Sequence, residues 1–197
     1  HLDVQLARLK RKYGAAGEFT KPRIAYRETI TASEKGQGRH KKQTGGKGQF
    51  GDCWIKMAPL PRGEGYLFAD EIVGGSIPSK FIPAVDKGIQ EASARGVLAG
   101  FPLVDFRVEL YDGSYHSVDS SEQAFKMAGI LAFRAVAQKC RPVVLEPLDV
   151  IEVVTPEQYL GDVMGDLSGR RGHILGTDAA ADGRGTKVRA IVPQAEL

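Results

Sequence analysis

The chain has 197 residues, 42% hydrophobic and 26% charged, enough apolar content to bury a core and too much for intrinsic disorder. Its formal net charge of +3 is mildly basic and by itself leaves the class of partner open. No apolar run approaches membrane-spanning length and no signal peptide is visible. The two cysteines, Cys53 and Cys140, sit in neither a CxxC nor a histidine pairing, so they read as reduced, buried thiols rather than metal ligands.

Leu2, Leu6, Leu9 and Tyr13 fall on one helical stripe, which predicts a helix over 2–13 ended by Gly14 and Gly17. Residues 22–30 read as a strand. A helix and a strand cannot close a core alone, and His1 stands where Met is expected, so this piece reads as the end of a domain whose start lies outside the sequence. Residues 33–51 are polar and glycine-rich, which predicts an exposed loop. A strand resumes over 52–57, Pro59 to Gly65 breaks it, and 66–73 predicts another strand before the Gly74-Gly75 turn. Phe81, Ile82, Val85, Ile89 and Ala92 then give a helical stripe ended by Gly96. Residues 101–110 read as a strand that turns through Asp112-Gly113 into a tip over 111–121 with His116 at its apex.

Ser120 with Gln123 forms a capping-box pattern for the next helix, whose apolar face is Phe125, Ala128, Leu131, Ala132, Ala135 and Val136. After Pro142 the run 143–154 is extended. Thr155-Pro156-Glu157-Gln158 predicts a further helix start, with Thr155 as N-cap, and Tyr159, Leu160, Val163, Met164 and Leu167 as its buried face. Residues 174–175 and 188–191 read as strands around the hairpin Asp182-Gly183-Arg184-Gly185. The order is α-β, a β-rich unit with two helices, then β-α-β-β. This is an α+β chain whose last unit is thin enough to suggest further chain beyond Leu197.

Three features bear on chemistry. Gly46-Lys47-Gly48-Gln49-Phe50-Gly51 matches G-x-G-x-x-G, but a strand-like run follows it where a dinucleotide site needs a helix. No kinase catalytic motif accompanies it, and the sequence contains no GxxxxGK[ST] loop. What remains is a flexible hairpin, or a backbone able to approach phosphates beside Lys41, Lys42 and Lys47. Lys35 and Arg39 add to the same basic run, opposed only by Glu34. His116, with Asp119 and Ser114 near it, admits three readings: a plain turn residue, a general base, or, beside Tyr111 and Tyr115, a contact to nucleic acid. Arg170-Arg171 follow a helix C-terminus, where they suit dipole compensation and equally a phosphate clamp.

Five segments together resemble bacterial elongation factor G. They are Tyr26 to Ile30, Gln43 to Gly51, Leu110 to Ser121, Gly161 to Leu167 and Arg170 to Gly172, in register over the whole chain. The resemblance implies the end of domain III over 1–28, domain IV over 29–147 and the start of domain V over 148–197. Domain IV would be a ribosomal-protein-like βαβ fold shaped like a tRNA anticodon arm, and domain V a truncated ferredoxin-like unit. It also implies a cytoplasmic, monomeric factor that promotes GTP-dependent translocation of tRNA and mRNA. Its partners would be the ribosome, rRNA and the tRNA–mRNA pair in the decoding site, with no membrane contact.

This part would carry no catalytic, cofactor or metal site of its own, because GTP and Mg belong to a GTPase domain outside it. The implied RNA-contacting residues are Lys41, Lys42, Gly45, Gly46, Lys47, Gln49, Tyr115, His116, Arg170 and Arg171. His116 matches the tip histidine that elongation factor 2 of eukaryotes and archaea carries as diphthamide and bacterial relatives leave unmodified. The 31–42 insert, with Gly36 to Lys42, resembles the elongation factor G-like paralogues as much as the main factor, and Gln194 stands at a position usually apolar. The alternatives are therefore a paralogue without translocation activity, or a small stand-alone enzyme using His116 and Asp119.

Overall fold

The computed structural model describes residues 2–18, 20, 23–43, 46, 48–180, 183 and 185–197. Helix α1 (Leu2–Tyr13) forms where its stripe predicts, but Leu9 and Tyr13 point to solvent. The strand that follows is only β1 (Arg27–Ile30). It pairs antiparallel with β6 (Pro142–Leu145), so two segments more than a hundred residues apart close one unit.

Between them lies a four-stranded sheet: β2 (Glu34–Lys42), β3 (Gln49–Pro59), β4 (Tyr66–Asp70) and β5 (Phe106–Ser114), in the order β2-β3-β5-β4. Helix α2 (Ile82–Ser93) carries the chain from β4 to its parallel neighbour β5, and α3 (Glu122–Lys139) covers the same face. The core between them holds Phe106, Phe125, Phe133, Ile55, Met57 and Leu110, all fully buried. Phe81 stacks on Phe125 at 4.9 Å.

The predicted loop over 33–51 is thus largely a strand hairpin. Gly36, Gly38 and Gly51 lie within its strands and serve packing rather than turning. A Cβ on Gly38 would lie 2.1 Å from the Ala128 carbonyl oxygen and 2.3 Å from the Ala132 nitrogen of α3. One on Gly51 would lie 2.5 Å from the Ala124 carbonyl oxygen. The helix rests directly on strand backbone, which only glycine allows.

The predicted Asp112-Gly113 turn is also absent. Both residues continue β5, opposite Trp54 and Cys53, and a Cβ on Gly113 would strike Ile77. The turn comes later, over 115–120. Helix α3 is capped by Ser121, not Ser120: its hydroxyl accepts from the Ala124 N–H at 3.2 Å. The buried face of α3 takes in Gly129, Phe133 and Ala137, while Leu131 and Ala135 face outward.

The last unit is β7 (Leu148–Thr155), α4 (Leu160–Gly169), β8 (His173–Ala179) and β9 (Thr186–Pro193), with strand order β7-β9-β8. Leu167, Val188, Ala190 and Val192 form its small core. No side-chain cap forms at Thr155. The chain makes one 3-10 turn over Glu157–Tyr159 before α4, and Tyr159 is exposed rather than buried. Of the predicted β8–β9 hairpin residues, Asp182 and Arg184 lie outside the described residues. Gly183 adopts φ +66°, as the turn requires. The architecture is α+β, in the order the elements predict.

Candidate functional site

Two loops meet at one end of the four-stranded sheet: the β2–β3 connection and the β5–α3 connection. They are tied by backbone and hydroxyl bonds. The Phe50 N–H donates to the Asp119 carbonyl at 2.9 Å, and the Ser120 hydroxyl donates to the Phe50 carbonyl at 2.9 Å. The same hydroxyl accepts from the His116 N–H at 2.9 Å. A Cβ on Gly48 would sit 2.9 Å from the Asp119 carboxylate, so Gly48 lets the hairpin lie against the tip.

Beneath the tip, the buried Asp52 joins three strands. It accepts from the Gln37 amide at 2.7 Å and from the Ser114 hydroxyl at 2.8 Å. Ser114 is therefore a member of this brace.

His116 is half exposed, with 55% of its side chain in contact with solvent. Its Nδ1 accepts from the N–H groups of Val118 and Asp119 at 3.3 and 3.2 Å. That assigns the lone pair to Nδ1 and the proton to Nε2, which is left free to face a partner. The Asp119 Oδ2 lies 3.6 Å from the same Nδ1. An Nδ1–H aimed at that carboxylate and an Nδ1 accepting from two amides exclude each other, and the two amide bonds favour the acceptor form. A carboxylate-oriented general base of the triad kind is therefore not assembled here. Neither His116 nor Asp119 lines the better-formed concavities among the described residues.

Lys41, Lys42, Gly46, Gln49 and Tyr115 are exposed around this tip. Gln49 Oε1 pairs with His40 Nε2 at 2.8 Å. Gly45 and Lys47 lie outside the described residues.

Arg170 and Arg171 are not brought to the tip and are engaged within the last unit and its connection. Arg170 donates to Asp166 at 2.9 Å and to the Glu196 carbonyl at 2.6 Å. Arg171 makes a bidentate pair with Glu146 at 2.8 and 3.0 Å and a further bond to Glu196 at 3.0 Å. Those hydrogen bonds raise its already high pKa. Arg171 also takes φ +57° and closes α4: its N–H donates to the Ser168 carbonyl, and that of Gly172 to Leu167, a Schellman pair with Arg where Gly is usual.

Two carboxylates that the sequence reading did not single out as functional shape the scaffold. Glu28 is fully buried. Its Oε2 accepts from Val97 and Leu98 at 2.6 and 3.0 Å, and its Oε1 from Ala99 and Phe101 at 2.7 and 3.1 Å. Burial works to raise its pKa, but the four N–H bonds outweigh it and hold the carboxyl below its ordinary value. Asp105, at φ +59°, accepts from Gly63 and Gly65 at 3.0 and 2.9 Å and from Arg62 at 2.8 Å. Its pKa is likewise lowered against the opposing effect of burial. The available signal for Glu28 is a lone acid inside the strand-like Tyr26 to Ile30 run.

Among the described residues, no group of three His, Cys, Asp or Glu side chains is placed to hold a metal ion, and no helix is long and apolar enough to cross a membrane.

Residues 22–141 match the family described as elongation factor G, domain IV, and residues 143–197 match the elongation factor G C-terminus. The chain belongs to the elongation factor G family. It is 54% identical over 197 residues to an elongation factor G-like protein of Thermotoga maritima and 52% identical to elongation factor G of Aquifex pyrophilus. All of this chain is covered in both cases, but only 29% and 28% of those relatives. A crystal structure from Thermus thermophilus superposes with a TM-score of 0.85 at 47% identity, covering all of this chain and 29% of that one. Within the elongation factor G family, the tip described above lies in the domain IV match and Arg170 and Arg171 in the C-terminal match.

Proposed function

We propose that this chain is the RNA-contacting arm of a cytoplasmic translation factor that promotes GTP-dependent movement of tRNA and mRNA on the ribosome. The arm, about residues 29–147, would enter the decoding site tip first as a monomer. The last unit, from about residue 148, would lie against ribosomal RNA. GTP and Mg would be handled by a GTPase domain elsewhere in the parent protein.

The observation that carries this is the joined tip. Two loops are locked to one another and present Lys41, Lys42, Gln49, Tyr115 and His116 as exposed side chains at one end of the sheet. An exposed basic end suits a polyanionic partner. The histidine, held by two backbone amides, offers an outward N–H and a ring face, which suits contact with an unstacked base. Gly45, Gly46 and Lys47 belong to the same proposed contact. For Arg170 and Arg171 to meet phosphate, they would have to exchange their present carboxylate partners. A paralogue lacking translocation activity fits the same tip, since identity to the elongation factor G-like relative is as high as to elongation factor G.

The test is a salt titration of ribosome association with Lys41→Ala/Lys42→Ala. Binding should weaken, and the dependence on salt should become shallower by about 0.7–0.9 per lost phosphate contact. An unchanged titration would remove the basis of the proposal. In the full-length factor, His116→Ala should slow translocation while sparing ribosome-stimulated GTP hydrolysis. Translocation at the normal rate would reassign His116 to the turn alone.

A further inference from the structure

The four-stranded sheet has one face covered by α2 and α3 and one face open. Strand β2 is its edge, and its residues alternate between the two faces. Gly36, Gly38 and His40 lie on the α3 side and are wholly or partly buried, whereas Lys35, Gln37, Arg39 and Lys41 are exposed on the open side. Glu34 falls on the α3 side by the same alternation, so the acid that opposes these cations in sequence is turned away from them in space. Same-face residues are about 6.8 Å apart, so Lys35 to Lys41 forms a row of about 20 Å.

The two halves of the open face differ in charge. On the β5 side, Lys56 pairs with Glu109 at 3.3 Å, and Arg107 pairs with Glu109 at 3.2 Å and Glu71 at 3.9 Å. Charge is spent internally there. On the β2 side, Lys35, Arg39 and Lys41 form no ion pair among the described residues. The nearby Asp52 is buried and taken up by Gln37 and Ser114.

Behind the row lie two aromatic rings. Phe50 stands opposite Lys41 and carries the Arg39 guanidinium 5.4 Å from its centroid. Trp54 stands opposite Gln37.

We infer that the open face of β2 and β3 is a second RNA-binding surface, taking a single RNA strand that runs along β2 away from the tip. Its phosphates lie against Lys35, Arg39 and Lys41, and its bases turn toward the Arg39–Phe50 stack and Trp54. This rests on the proposal that the tip meets RNA and extends that contact about 20 Å along the arm. Charge complementarity selects the occupant: unpaired cations at regular strand spacing, backed by ring and guanidinium planes, match a polyanion with stacking faces.

Trp54 is the only tryptophan, so its fluorescence reports occupancy of this face directly. The probe is a 12-nucleotide oligouridylate titrated into the 197-residue chain at several salt concentrations. Saturating RNA should quench Trp54. Lys35→Gln/Arg39→Gln should weaken binding about tenfold and make the salt slope shallower by about 1.4. Both side chains are exposed, and an unchanged urea midpoint confirms that the variant folds. Tyr115→Ala/His116→Ala should weaken binding while leaving Trp54 quenched at saturation.

Binding that leaves Trp54 unquenched, or that is indifferent to Lys35→Gln/Arg39→Gln, overturns the second surface and leaves the tip proposal standing. Binding lost with the sheet variant but untouched by the tip variant supports the second surface and overturns the tip. No binding by the wild-type chain overturns this inference.

Discussion

Replacing Glu28 by Gln tests whether one buried carboxylate holds the start of the central unit to the loop over 97–101. Gln preserves the shape but has a single oxygen. Whichever way the amide turns, two of the four N–H donors now in place at 2.6–3.1 Å would face an NH2 group instead of an acceptor. A hydrogen bond to a charged group contributes about 1.5–3 kcal/mol, so losing two costs about 3–6 kcal/mol. The neutral amide avoids the desolvation that the carboxylate suffers at full burial, and the outer part of the loop is exposed and can be rehydrated. The expected net loss is about 2–4 kcal/mol.

Urea unfolding followed by Trp54 fluorescence measures it, because Trp54 lies in β3 of the same unit. The pH dependence adds a second check. The folded pKa of Glu28 lies below its ordinary value of 4.5, so its contribution is fully present above that value and drains away as pH falls through the folded pKa. The gap between wild type and Glu28→Gln should be flat from neutral pH down to about 5 and then narrow. A loss under about 1 kcal/mol at pH 7, well short of even one charge-assisted bond, or a gap that widens on acidification, would refute the assignment.

Other consequences can be checked with the same chain. Gly38→Ala places a methyl 2.1 Å from the Ala128 carbonyl oxygen and should cost about 3 kcal/mol or more in urea unfolding, since α3 must lift from β2; a neutral effect would contradict the strand–helix contact. Asp105→Asn keeps an acceptor for Gly63 and Gly65 and tolerates the left-handed backbone, so it should cost only about 1–2 kcal/mol. That cost should shrink in acid, because the Asp105 pKa is lowered; a pH-independent cost would assign it to packing instead. Cys53 and Cys140 are fully buried, and burial pushes their thiols up to about 12 and about 11. A thiol-specific disulfide reagent at pH 8 should therefore label both only at the rate of opening or unfolding. Rapid labelling of the native chain would place either thiol at the surface.

Local pattern carried much of the fold. The apolar spacing of α1 and α2, the Pro59 to Gly65 break and the α4–β8–β9 order are all readable because each depends on residues close in sequence. The candidate site was legible only as a basic, glycine-rich segment and a lone histidine in a polar turn. Where sequence reading went astray, a residue's local preference and its tertiary use diverged. Asp112-Gly113 has strong turn chemistry, yet it extends β5 because Cys53 and Trp54 supply ladder partners and Ile77 fills the space a side chain would need. Ser120 satisfies a capping pattern, yet its hydroxyl is taken by Phe50 and His116, leaving Ser121 to cap α3.

By itself the sequence determined the α+β class, the order of the elements and the family to which the chain is similar. These rest on periodicity and on ordered motifs, which are properties of a string. Only the tertiary structure decided what the glycines are for, since a missing Cβ means flexibility or close packing according to what lies opposite. It alone turned Glu34 away from Lys35, Arg39 and Lys41, and it alone committed Arg171 to Glu146 and Glu196. It also showed His116 receiving two amides on Nδ1, because the role of a ring nitrogen depends on which donors the folded chain brings to it.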